Sequence, residues 1–184
     1  MDKPYHHGDL RNALLEALDV SVRDSGPEAA STRALARDIG VAPSAVFRHF
    51  RDRRALLTAY AAVGFARLAD RVEAAAPGLR DIAAAYLDFA FAEPGRFRTM
   101  FRADLLDMMD ADLREGQVAL NRALGIGRKS DIGARESDVP LVLHAAMQGF
   151  ATLAMETPMG ERLPDDPIER RAAILTMLRR LTTL

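Results

Sequence analysis

The chain has 184 residues, 49% of them hydrophobic and 28% charged, with 12 Gly and 9 Pro. This composition suits one or two small globular domains and excludes a disordered or fibrous chain. The absence of Cys removes disulfides, thiolate nucleophiles, iron–sulfur clusters and Cys-ligated zinc. A net charge of −1 provides no global field for polyanions, so any nucleic-acid site has to be local. The opening Met1-Asp2-Lys3-Pro4-Tyr5-His6-His7-Gly8-Asp9 lacks a basic end followed by an apolar stretch, and the most apolar window, 140–155, is interrupted by His144 and Gln148. A cytoplasmic protein with no membrane partner is therefore expected.

Hydrophobic periodicity is helical throughout and predicts an all-α fold of about nine helices. In the first predicted helix, 10–23, Leu10, Leu14, Leu18 and Val22 recur every four residues behind Asp9 as a cap, and Ser25-Gly26-Pro27 ends it. Two short helices follow, 31–39 and 43–50, separated only by Gly40-Val41-Ala42. Asp52 precedes a long pattern from Arg53 to Ala75, which Pro77-Gly78 terminates. Further helices are predicted over 79–92, 94–101, 105–124, 138–156 and 167–182. A loop spans 125–137, and a break lies at 157–166.

The two short helices carry the chemistry. Leu35 and Ile39 give the first an inward edge, and Ala36 is small enough for a close crossing. Gly40 supplies the positive φ that a three-residue turn needs. Val46 and Phe50 turn the second helix toward the same core, which leaves Ser44, Ala45, Phe47, Arg48 and His49 facing outward. Within 41–54, Arg48, Arg51, Arg53 and Arg54 stand against Asp52 alone, a local excess of +3. A small helix-turn-helix with an Arg-rich outer face suits the major groove, where base edges and phosphates accept from guanidinium.

The stretch from Gly26 to Leu57, with Tyr5 to Leu18 before it, resembles the TetR family of bacterial transcriptional regulators. The resemblance implies a three-helix DNA-binding domain over 1–54 and a helical effector-binding and dimerisation domain over 55–184. It also implies a homodimer on a pseudo-palindromic double-stranded operator, and repression relieved by a small molecule. The DNA-facing set on this reading is Ser31, Thr32, Arg33, Pro43, Ser44, Ala45, Phe47, Arg48, His49 and Arg53. Phe47 stands where the family commonly has Tyr, Ala42 where Ser or Thr often caps the recognition helix, and Arg53 where a phosphate-binding Lys is usual. The opening residues and Glu93-Pro94-Gly95-Arg96-Phe97 resemble members with a Trp-His-Gly type of C-terminal domain, although the His-Gly pair is Gln148-Gly149 here and the Trp is absent.

Phe89, Phe97, Met100, Phe101, Met108, His144, Met147 and Gln148 form the candidate effector set, which a dry core explains equally well. His6-His7 with Asp9 lacks a second ligating pair, so neither a metal nor a cofactor is expected. No nucleophile elbow, phosphate loop or zinc helix is present, so the chain does not read as an enzyme. Ala145, Gly149 and Thr152, with Ile168, Ala172, Leu175, Leu178 and Thr182, are the expected dimer stripes. A constitutive DNA-binding regulator without an effector is the alternative.

Overall fold

The computed structural model describes residues 7–126, 139–157 and 161–181, and these contain nine α-helices and no strand. The chain divides into two compact units, Met1–Val63 with Gly95–Arg114, and Gly64–Pro94 with Glu115–Leu184. The division expected at 54/55 concerns which residues serve DNA, and it stays a functional proposal.

In the first unit, α1 (His7–Ser25) buries Leu10, Leu14, Leu18 and Val22, as the four-residue spacing requires. The helix starts three residues before Leu10. Asp9 thus lies within the helix and not at the cap position expected for it. Gly26, at φ 77°, leads into a 3-10 turn, Pro27–Ala29. Helix α2 (Thr32–Asp38) is capped by Ser31, whose Oγ accepts from the Ala34 N–H at 3.4 Å. Gly40 has φ 73°, and a Cβ there would meet nothing within 4 Å, so the backbone angle alone calls for glycine. Helix α3 (Pro43–His49) has Pro in its first turn and no side-chain cap from Ala42. Leu35, Ala36, Val46 and Phe50 are all buried where α2 and α3 cross.

Asp52 opens α4 (Arg53–Ala75) by accepting the Ala55 N–H at 2.7 Å. Leu56, Leu57 and Tyr60 complete this core. Helix α6 (Pro94–Met100) adds a buried cation. Arg96 is 4% exposed, stacks 3.9 Å above the Tyr60 ring, and donates to the Tyr60 carbonyl at 3.0 Å and to Asp19 Oδ1 at 3.3 Å. The Tyr60 hydroxyl donates to the same Asp19 oxygen at 2.6 Å. Gly95 permits this approach, since a Cβ there would lie 3.0 Å from the Arg23 backbone nitrogen.

The helix expected over 105–124 is shorter. Residues 101–110 form turns, and α7 spans Ala111–Ala123. Side-chain oxygens compete with the helical pattern here. Asp107 Oδ1 accepts the Met109 N–H at 3.0 Å, Asp110 Oδ1 accepts the Leu113 N–H at 3.0 Å, and the Asp107 N–H donates to Thr58 Oγ1 at 2.9 Å.

In the second unit, α5 (Leu79–Ala92) packs on both α8 (Val139–Glu156) and α9 (Pro167–Leu181), and these two pack on each other. Tyr86, Leu87, Phe89, Met147, Ala151 and Ile174 are fully buried, each larger apolar side chain contributing about 1.5–3 kcal/mol. Asp166 caps α9 through the N–H groups of Ile168 and Glu169, both at 2.9 Å. From residue 127 on, the expected 125–137 loop lies outside the described residues, as do His6 and Thr182.

Candidate nucleic-acid interface

Helix α3 presents a clear outer face. Phe47, 50% exposed, and the exposed Arg48, Ser44 and Pro43 lie opposite the buried Val46 and Phe50. Ala45 and His49, expected to face outward, are only partly exposed. Arg48 makes no ion pair among the described residues, which leaves its guanidinium available at the helix surface. On α2, Ser31 and Arg33 are exposed and Thr32 is half-buried. All ten residues expected to face DNA belong to the first unit.

The other arginines of the basic stretch are engaged within this unit. Arg53 donates from Nη2 to the carbonyls of Pro27 and Glu28, at 2.6 and 2.8 Å, so the start of α4 is tied to the 3-10 turn. Arg54 donates to the Asp104 carbonyl at 2.9 Å, and Arg51 pairs with Asp107 at 3.1 Å and with Asp52 at 3.5 Å. Arg102 bridges Glu28 and Asp104. A backbone hydrogen bond, followed by that of Arg102, holds the Glu28 carboxyl below its ordinary range, while Arg102 does the same for Asp104.

Models of two families match this chain: one described as bacterial regulatory proteins, tetR family, over residues 14–60, and one described as tetracyclin repressor-like, C-terminal domain, over residues 79–178. The chain belongs to the TetR family. A TetR-family chain is a DNA-binding transcriptional regulator and not an enzyme. Among solved structures, a protein of unknown function from Rhodococcus sp. RHA1 is 31% identical, with a TM-score of 0.70, covering 97% of this chain and 98% of that one. A tetR-family bacterial regulatory protein from Rhodococcus RHA1 is 17% identical, with a TM-score of 0.67 and coverage of 92% and 95%. A transcriptional regulator from Aquifex aeolicus VF5 shares the fold at 11% identity, TM-score 0.66, covering 93% and 98%. No curated protein matches the chain.

The candidate effector residues of this TetR-family chain fall in both units. Phe97, Met100, Phe101 and Met108 belong to the first unit, whereas Phe89, His144, Met147 and Gln148 belong to the second. Phe97, Met100, Phe89 and Met147 are buried, and Met108 is 41% exposed. His144 shares a hydrogen bond of 3.2 Å with the Tyr86 hydroxyl, and burial lowers its pKa below the usual histidine value. A cleft of about 410 Å³ in the second unit is lined instead by Leu79, Ala83, Leu143, Ile168, Ala172 and Leu175, with Arg80, Arg171 and Arg179. The periodicity did not reveal this cleft, because its floor and its rim come from three separate helices.

The expected dimer stripes are partly exposed. Ala145 is exposed, while Gly149 and Thr152 are half-buried; Ile168 is 75% exposed and Ala172 is exposed. Leu178 corrects the stripe, since at 3% exposure it belongs to the core of the second unit. Among the described residues no helix is long and apolar enough to cross a membrane, and no group of three His, Asp or Glu is placed to hold a metal ion.

Proposed function

We propose that the chain is a cytoplasmic repressor that binds a pseudo-palindromic operator as a homodimer and leaves it when a small apolar or amphipathic molecule binds the helical domain. The observation that carries the operator reading is the outer face of α3, where Phe47 and the unpaired Arg48 stand exposed over a core locked by Val46 and Phe50. Arg48 reads a base edge, Phe47 makes apolar contact, and Ser31, Thr32, Arg33, Pro43, Ser44, Ala45 and His49 meet the groove walls and backbone. Residues 1–54 supply this surface. Because Arg53 spends Nη2 on carbonyls, Nη1 is the group that meets phosphate.

A labelled operator selected from a random pool tests this assignment. Arg48→Ala should cost about 1–3 kcal/mol and relax one position of the site. Arg53→Ala should weaken all sequences alike and reduce the salt slope, with a thermal melt reporting separately on the lost tether. Undiminished affinity in both variants refutes the assignment.

The constitutive reading draws support from the buried state of Phe89, Phe97, Met100 and Met147. Compounds that raise the melting temperature yet leave operator affinity unchanged favour it. Compounds that release the operator favour the switch, with α4, continuous from Arg53 to Ala75, as the lever.

A further inference from the structure

We propose that Arg51 is a further DNA-backbone contact, and that Asp107 holds it in the free protein so that the 101–110 segment competes with phosphate for the end of the recognition helix. The inference rests on the DNA-facing role proposed for α3.

The pair is asymmetric. Asp107 is fixed in place, since its N–H donates to the buried Thr58 hydroxyl at 2.9 Å and its Oδ1 accepts the Met109 N–H at 3.0 Å. Arg51 is not fixed in the same way. Its side chain is 71% exposed, and it reaches Asp107 at 3.1 Å and Asp52 at 3.5 Å. Exposed pairs of this kind are weak and screened by salt, so a phosphate can displace the carboxylate.

The location gives the pair its consequence. Phe47, Arg48 and His49 at the end of α3, with Arg51 just beyond it, line one cleft of about 460 Å³ together with Asp107 and Asp110. Two carboxylates thus face the side chains that are proposed to meet DNA. The same segment also occupies Arg54 through the Asp104 carbonyl. A phosphate approaching α3 therefore has to exchange with an acceptor that the protein itself supplies, which lowers non-specific affinity.

The test uses the full chain and a labelled mixed-sequence duplex of about 30 base pairs, titrated over a range of salt concentrations. Asp107→Asn keeps an oxygen for the Met109 N–H and removes the charge. It should tighten binding roughly 2- to 10-fold at low salt and steepen the log–log salt slope by about 0.9, the value of one added phosphate contact. In an Arg51→Ala background the same substitution should change neither quantity. An equal gain in both backgrounds overturns the proposal, because the carboxylate then acts through its general field. No gain in either background overturns it as well. A wild-type chain that binds no duplex at any salt defeats the DNA-facing role of α3 first, and this inference with it.

Discussion

Arg96 is the residue at which packing and electrostatics meet most closely in the first unit. Its guanidinium is withdrawn from water, and the acceptors that compensate include the Tyr60 ring, the Tyr60 carbonyl and Asp19. Asp19 in turn accepts from the Tyr60 hydroxyl and pairs with Arg23 at 2.8 Å, so its own charge stays balanced if Arg96 is lost. The Tyr60 carbonyl, however, loses a charged donor, and the cation over the ring disappears. Arg96→Met, which keeps the stem volume, should therefore destabilise the chain by roughly 2–4 kcal/mol, below the upper end for a fully buried pair. Urea denaturation followed by circular dichroism measures this, and a loss under about 1 kcal/mol would mean that water replaces the guanidinium without penalty. Sequence reading placed Arg96 in a motif of the C-terminal resemblance but did not find its buried contacts, because its partners lie 36 and 77 positions away in the chain. No local spacing records such a contact.

At the scale of elements, the clearest correspondence lies where propensity and capping agree. Helices α4 and α5 begin and end where the periodicity and the Pro77-Gly78 break place them, and Gly40 has the positive φ that its turn implies. Residues 105–110 differ because Leu105, Leu106, Met108 and Met109 continue a helical apolar pattern, while Asp107 and Asp110 bind nearby backbone N–H groups and open the chain. The Arg51 contact was hidden for the same reason, since it depends on that open segment. Helix α3 offers a direct test of capping. Ala42 is exposed, has φ −65° and ψ 141°, and occupies the cap position without a side-chain acceptor. Ala42→Ser supplies the missing oxygen in a backbone geometry suited to it, so the chain should gain about 0.5–2 kcal/mol. A thermal melt reads the gain directly, and a neutral or negative shift would show that the first turn of α3 is already satisfied by water. Because the recognition helix would then fray less, operator affinity should not fall in the same variant.

The whole molecule poses the question of how one recognition helix becomes a specific regulator. One recognition helix reads only a few base pairs, whereas two held at fixed separation read two half-sites and convert the second binding event into an intramolecular one. The apolar residues available for holding them lie on α8 and α9, where Val142 is 62% and Leu153 38% exposed, beside the exposed Ala145 and the half-buried Gly149. These positions recur at intervals of three and four along α8, so they form one stripe on which a second helix can pack closely. Ala145→Arg places a long charged side chain in the middle of that stripe while leaving the buried Leu143 and Met147 unchanged. The variant should sediment as a monomer at micromolar concentration and keep its helical content. Its affinity for a two-half-site operator should fall by a factor of about 10² or more through lost bivalency, with binding to a single half-site unaffected. A variant that remains dimeric would remove α8 from the interface. A monomeric variant that keeps full operator affinity would show that each recognition helix acts alone, and the two-fold arrangement proposed for the operator would have no physical basis.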